Sequence, residues 1–292
     1  MKYATWSLAL SLGLLAGHAA SARTPVIREA PKLLAAGDVA SCGSTGDEAT
    51  ARLLDTLPGP IAALGDLAYT NGTASEFASC YDPSWGRHKA RTHPVPGNHE
   101  YNTTGAVPYY NYFGAAAGDP SRGYYSYQVG SWHVVALNSN CSAIGGCDEN
   151  SPQYRWLQAG LTANRRKCTV AYMHHPYLSS GQNGSTPDLR PLMRLLYNNN
   201  VEIVLAGHDH TYERFNPITP EGVPDPAKGL RLFVVGTGGR DLYNFTRVLP
   251  NSDFRYNQNF GVLRIVTKEA AYDWRFVNIA GITVDGGSGV CF

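Results

Sequence analysis

The chain has 292 residues, 43% of them hydrophobic, with 24 lysines and arginines against 23 aspartates and glutamates. That apolar content supports a packed core and excludes a disordered chain. The near balance of charge leaves no general positive field for nucleic acid or an anionic membrane, so neither is expected as a dedicated partner. The 31 glycines and 18 prolines follow no repeat, which excludes collagen-like and low-complexity architectures and implies many turns between short elements.

Residues 1–22 differ from the rest. Lys2 precedes an apolar stretch over 6–16, and Ala20-Ser21-Ala22 offers the small residues that a signal peptidase accepts. A secretory leader cleaved near Ala22 is expected, because the stretch is shorter than the roughly 20 apolar residues of a spanning helix. Residues 23–292 are then read as one domain, formally neutral, released outside the cell or into a periplasm. Export permits disulfides, and Cys42, Cys80, Cys141, Cys147, Cys168 and Cys291 form an even set without a CxxC pair. The pairings expected are Cys141 with Cys147, closing a short loop, Cys42 with Cys80, and Cys168 with Cys291.

After the leader, strand-like runs alternate with helical ones, the rhythm of an α/β fold. A strand over 32–37 runs into Asp38, one over 61–65 into Asp66, and one over 93–97 into Asn98. Between the first two, Ala51, Leu54 and Leu57 in the segment 47–57 are spaced for one buried helical face. Residues 124–139 read as two strands joined at Gly130-Ser131, and 151–164 as a helix capped by Ser151 with Pro152 in its first turn. The pattern repeats: a strand over 169–173 ends in His174-His175, a helix covers 188–198, and a strand over 201–206 ends in Gly207-His208. A further strand over 230–235 stops at Gly236-Thr237-Gly238-Gly239, read as a turn near the site, and 260–282 reads as closing antiparallel strands. Two such halves bring their strand ends to one rim, the usual place for a site in an open α/β sheet.

The residues at those ends are Asp38, Asp66 with Tyr69, Asn98 with His99, His174 with His175, and His208 with His210. Carboxylate, phenol and imidazole donors suit iron, zinc or manganese, and they are too many for one ion. Gly-Asp-Val at 37–39, Gly-Asp-Leu-Ala-Tyr at 65–69, Gly-Asn-His-Glu at 97–100, Met-His at 173–174 and Gly-His-Asp-His at 207–210 occur in the order and approximate spacing of the calcineurin-like metallophosphoesterases, and Tyr69 narrows the resemblance to the purple acid phosphatases. It implies an α/β fold in which two mixed β-sheets pack as a sandwich with helices on both outer faces. It also implies that Asp38, Tyr69 and His210 hold one cation, ferric iron, and that Asn98, His174 and His208 hold a second, ferrous iron, zinc or manganese. Asp66 bridges the two.

Such a centre reduces the repulsion between cations about 3.5–4 Å apart by sharing a carboxylate and a hydroxide, and that hydroxide attacks phosphorus. The resemblance makes Asp66 and His99 catalytic, with His99 protonating the leaving group, and has Asn98 and His99 contact substrate. His175 either reaches the phosphate or packs. Glu100 is expected to orient His99, and Asp209 or Tyr212 to orient other site groups. Two departures stand out: Asp38 is followed by Val39-Ala40 instead of x-Gly, and Asn183 and Gly184 occupy places where many members carry substrate-pocket histidines. Ser179-Ser180-Gly181 does not fit a serine-hydrolase elbow, Arg165-Arg166-Lys167 reads as a solvated helix end, and Asn71, Asn102, Asn140, Asn183 and Asn244 begin glycosylation sequons. The function expected is hydrolysis of small phosphate monoesters. The alternatives are a phosphodiesterase or nucleotidase on the same residues, or a metal-bearing binding protein without turnover.

Overall fold

The computed structural model describes residues 1–6, 30–164 and 168–292; most of the expected leader and the run Arg165-Arg166-Lys167 lie outside the described residues. In chain order the elements are β1 (Lys32–Ala36), α1 (Gly46–Thr56), β2 (Ile61–Ala63), α2 (Ala74–Glu76), β3 (Thr92–Pro94), α3 (Val107–Phe113), β4 (Tyr125–Val129), β5 (Trp132–Ala136), α4 (Pro152–Ala163), β6 (Thr169–Tyr172), α5 (Arg190–Asn198), β7 (Ile203–Ala206), β8 (Tyr212–Phe215), β9 (Arg231–Val235), β10 (Ser252–Tyr256), β11 (Gly261–Thr267), β12 (Ala271–Asn278) and β13 (Thr283–Val290).

They form a six-stranded sheet in the order β13-β12-β11-β1-β2-β3 and a seven-stranded sheet in the order β10-β8-β9-β7-β6-β5-β4. Both are mixed. In the first, β1, β2 and β3 run parallel while β11, β12 and β13 are antiparallel. In the second, β5, β6, β7 and β9 are parallel, with antiparallel β4, β8 and β10 toward the edges.

Alternation along the parallel strands explains why the seven-stranded sheet is covered on both faces. Val134, Ala136, Val170, Tyr172, Ile203, Leu205, Phe233 and Val235 share a core with the six-stranded sheet. Their neighbours Val135, Ala171, Val204 and Leu232 join Leu157 and Leu161 of α4 and Leu192 and Leu196 of α5 in a second core. A two-residue period on strands that are apolar on both sides demands this arrangement. On the six-stranded sheet, α1 packs against β11 through a buried face that includes Ala51 and Leu54.

The three long helices lie where the apolar spacing put them, and Ser151 caps α4 by accepting from the Tyr154 amide at 3.2 Å. Sequence reading missed α3, β8, β10 and β13. The last is the most instructive, because three glycines, Gly286, Gly287 and Gly289, lie within it. A Cβ at Gly287 would lie 2.3 Å from the Trp274 indole, and one at Gly289 would lie 2.4 Å from the Tyr272 ring. The glycines let aromatic side chains of β12 lie across the edge strand. All three expected disulfides are present: Cys42–Cys80, Cys141–Cys147 and Cys168–Cys291.

One polar clamp crosses the interior between the sheets. Asp285 of β13 accepts from Tyr212 Oη at 2.7 Å and Arg214 Nε at 2.8 Å, both on β8, and from Trp274 Nε1 at 3.1 Å. Burial pushes the Asp285 carboxyl up, but Arg214 and Tyr212 outweigh it and hold the group below the ordinary carboxylate range. Tyr212 is therefore a partner of this clamp, stacked on Phe276 with ring centroids 4.0 Å apart, and not the orienting site residue that the sequence suggested. Asp285→Ala is expected to cost about 1–3 kcal/mol, since it removes the buried acceptor shared by Tyr212, Trp274 and Arg214 and leaves the guanidinium with Asp253 as its remaining ion pair, as read by urea unfolding at neutral pH. Because the folded carboxyl is the stronger acid, the difference from the parent should be full above about pH 4 and shrink as pH falls further. A pH-independent difference would place the stabilisation elsewhere.

Candidate metal centre

Each expected donor except Tyr69 and His210 lies in the turn just past a parallel strand: Asp38 past β1, Asp66 past β2, Asn98 past β3, His174 past β6 and His208 past β7. The two sheets are joined at this rim by backbone hydrogen bonds, with the Gly37 amide donating to Val235 O at 2.9 Å and the Gly238 amide to Gly37 O at 2.8 Å. The turns are tight. Asp38, Asp66 and His208 have φ of 61°, 51° and 69°, left-handed backbone that costs a non-glycine residue of order 1 kcal/mol or more and that tends to collect at functional sites. Gly97 is required beside them, because a Cβ there would lie 2.1 Å from Asp66 Oδ1.

The structure brings all seven expected ligands into one cluster with two halves. In the first, Tyr69 Oη donates to Asp38 Oδ1 at 2.9 Å, and His210 Nε2 lies 3.1 Å from Tyr69 Oη and 3.3 Å from Asp38 Oδ1. In the second, His174 Nε2 lies 3.0 Å from Asn98 Oδ1 and 3.2 Å from His208 Nδ1. Asp66 Oδ2 stands between them, 3.1 Å from Tyr69 Oη and 3.2 Å from His174 Nε2. Asp38, Asp66 and His174 offer donor atoms within 4.8 Å of one another, and so do His174, His175 and His208.

Outer contacts decide which imidazole nitrogen faces inward. His174 Nδ1 is 2.9 Å from Leu64 O, so a proton there leaves Nε2 as the donor atom. His210 Nδ1 is held by Asp241, and the Tyr243 ring stacks on the His210 ring at 4.0 Å. His99 Nδ1 meets Thr70 O at 2.5 Å, which turns Nε2 toward Asp66 Oδ2 at 3.8 Å. His175 sits among the imidazoles, its ring 4.6 Å from that of His208 and its Nδ1 2.9 Å from Ser139 Oγ.

Two roles differ from sequence expectation, and two further residues were not anticipated. Glu100 does not touch the His99 ring. Its buried carboxylate accepts from the amides of Gly97 at 2.7 Å, Asp66 at 2.9 Å and Leu67 at 2.8 Å, tying the loops after β2 and β3 together. Burial raises it to about 7. Asp209 likewise takes the amides of Asn183 at 2.7 Å and Gly184 at 3.1 Å, fixing that segment beside the site while Asn183 Nδ2 donates to His208 O at 2.7 Å. Asp241 and Tyr243 were not anticipated, because the loop after Gly236-Thr237-Gly238-Gly239 carries no recognisable spacing.

The electrostatics describe a site short of positive charge. Burial pushes the Asp66 carboxyl up, yet His174 outweighs it and lowers the group overall. His174 rises to about 9 because Asp66 overrides burial, and His210 rises to about 9 because Asp38 and Asp241 do the same. Burial first, then His174, drives His208 down to about 4. Burial together with Asp38 and Asp66 raises the Tyr69 phenol well above its usual range. Protons on His174 and His210 therefore balance two buried carboxylates, and cations displacing them would serve the same end with more charge. Donor types and spacing fit a pair of cations.

The calcineurin-like phosphoesterase family model matches residues 31–212. Purple acid phosphatase 21 of Arabidopsis thaliana is 30% identical over 287 aligned residues, covering 80% of this chain and 63% of that protein. Purple acid phosphatase 22 of the same plant is 27% identical, covering 80% and 64%. The chain thus spans just under two thirds of the length of these relatives. Among solved structures, purple acid phosphatase PPD1 from yellow lupin seeds superposes with a TM-score of 0.73 at 19% identity over 91% of this chain and 54% of that one. GAP50, described as the anchor in the inner membrane complex of Plasmodium, gives 0.70 at 13% over 91% and 90%. With the motif order, the two mixed sheets and the converging donors, these matches show that the chain belongs to the calcineurin-like phosphoesterase family, in which it resembles the purple acid phosphatases.

Proposed function

We propose that this protein is a secreted phosphatase that hydrolyses small phosphate monoesters at a pair of cations, with Asp38, Tyr69 and His210 around one, Asn98, His174 and His208 around the other, and Asp66 shared. The observation that carries the reading is the position of Asp66 Oδ2 within 3.2 Å of donors from both halves. Ferric iron suits the half with the phenol, and ferrous iron, zinc or manganese the other. When bound, the pair polarises a phosphoryl oxygen and acidifies water.

The remaining steps fall to the chain's own groups. Asp38 and Asp66 supply negative charge in a buried setting, and the hard-to-ionise Tyr69 phenol is ready for a strongly charged partner. Asn98 and His175 are assigned to meet the phosphoryl group, His175 because its ring lies 4.6 Å from that of His208. His99 Nε2 faces the centre, with its other nitrogen committed to Thr70 O, which suits it to hand a proton to a leaving alkoxide. Asn183 and Gly184 bring no titratable proton to the opposite side, so that duty rests on His99. Three disulfides support an oxidising destination. Among the described residues, no helix is long and apolar enough to cross a membrane.

The deciding experiment pairs elemental analysis with hydrolysis of an aryl phosphate monoester and its matching diester. Two metal ions per chain and faster monoester cleavage are expected; a marked diester preference would move the assignment to a phosphodiesterase. The likeness to GAP50, a protein described as an anchor, keeps a binding role without turnover as the second reading, and a metal-loaded chain that cleaves neither ester would establish it. His99→Ala should retain metal while turnover falls about 10²–10⁴-fold; unchanged turnover would assign the proton to another group. Tyr69→Phe should abolish visible charge-transfer absorption in the iron-loaded protein, and persistence of that band would remove the phenol from the iron.

A further inference from the structure

The loop that follows β9 wraps the Asp38, Tyr69 and His210 half of the cluster, and it lies beyond the segment 31–212 matched by the family model. It touches that half repeatedly. Asp241 holds His210 Nδ1, Tyr243 stacks on the same ring, and the Arg240 amide donates to Asp38 O at 3.0 Å. The Arg240 guanidinium carbon lies 5.2 Å from the centroid of the Tyr69 ring. On that ring also rests His99, with centroids 4.5 Å apart. Arg240 is thus pinned at its backbone to one candidate ligand and at its head to another.

Its charge is poorly matched. The ion pair it makes is loose, Nη1 to Asp241 Oδ2 at 3.8 Å, and the other oxygen of Asp241 is engaged by His210. The side chain is 34% exposed, so part of it faces solvent beside the Tyr69 ring. Across the cluster, Asn183 spends its amide on His208 O, and Gly184 has no side chain. The permanent cation presented by these rim residues is therefore Arg240.

A guanidinium in that position suits a terminal phosphoryl oxygen, which it meets with a rigid planar fork. A phosphate monoester has three terminal oxygens and two negative charges near neutral pH, whereas a diester has two such oxygens and one charge. With two oxygens turned to the cations, a monoester keeps one for a further donor, and a diester presents an ester substituent there instead. We propose that Arg240 is a substrate-binding residue that takes this third oxygen and so sets a preference for monoesters over diesters. The proposal rests on the phosphatase reading above and names the substrate class of the same site.

The test uses the full, metal-loaded chain and the variants Arg240→Ala and Arg240→Lys. Three quantities are measured: metal content, affinity for inorganic phosphate by calorimetry, and kcat and KM for p-nitrophenyl phosphate and bis(p-nitrophenyl) phosphate. Arg240→Ala should keep both metals, weaken phosphate binding and raise the monoester KM by about 10–100-fold, the effect of one charge-assisted hydrogen bond. The monoester-to-diester ratio of kcat/KM should fall by a similar factor, and Arg240→Lys should recover part of each change. Unaltered phosphate affinity, an equal fall for both esters, or loss of metal would each overturn the proposal. A parent protein that binds phosphate but cleaves neither ester would instead defeat the phosphatase reading, and the calorimetric comparison would still decide whether Arg240 holds the anion.

Discussion

Two carboxylates buried against each other's partners set the terms for the rest of this structure. Asp38 is fully buried and Asp66 nearly so, and charges so placed persist only with compensating partners. The compensation comes from both sheets at once. Asp66 and Asn98 leave the six-stranded sheet, His174 and His208 leave the seven-stranded one, and His210 closes on Asp38 from the far side. The inter-sheet core aligns the strand ends, and the strand ends place the charges. The left-handed backbone at Asp38, Asp66 and His208 is the local cost of turning those side chains inward, and the surrounding hydrogen bonds sustain it.

Around this centre, carboxylates recur as fasteners for its loops, Glu100 and Asp209 from buried positions and Asp241 from a half-exposed one. Glu100 ties the β2 and β3 loops through four amides, Asp209 fixes the segment with Asn183 and Gly184, and Asp241 sets the His210 ring. In each case acceptor oxygens meet backbone or imidazole N–H groups that would otherwise be unsatisfied in the interior. The donors are therefore held before any cation arrives, which matches the demand of two-cation chemistry for fixed geometry more than for new contacts.

Much of this was legible in the sequence because strand ends are marked by Gly followed by a polar residue. The convergence of the seven candidate donors, the three long helices, the sandwich and the Cys141–Cys147 loop follow from such local signals or from the family resemblance they support, whereas Cys42–Cys80 and Cys168–Cys291 were paired without one. The misses share a different cause. Glu100 sits next to His99 in the chain, so adjacency suggested that it serves that ring, but residue 100 opens a tight turn whose carboxylate faces the amides instead. Tyr212 follows the last motif by two residues, yet the two-residue period of β8 sends it into the inter-sheet core. β13 was hidden by glycines whose purpose lies on the neighbouring strand, in Trp274 and Tyr272. Asp241 and Tyr243 reach the site through tertiary folding alone.

That last group bears on how function diverges on a shared scaffold. The residues proposed to hold cations come mostly from strand ends, where the sheets fix position to within a turn. The residues that meet the rest of a substrate come from longer connections, such as the segment at 179–184 and the loop after β9, whose lengths the sheets do not constrain. In this chain the segment at 183–184 has neither acid nor cation, whereas the loop after β9 brings a guanidinium to the opposite side and anchors it on the backbone of Asp38. The positive charge at the mouth is thus carried by a group that stays ionised at any physiological pH, where imidazoles would titrate. A site built this way would keep a fixed positive charge for a phosphate anion on a connection that can vary in length without disturbing the strand ends that carry the candidate cation ligands.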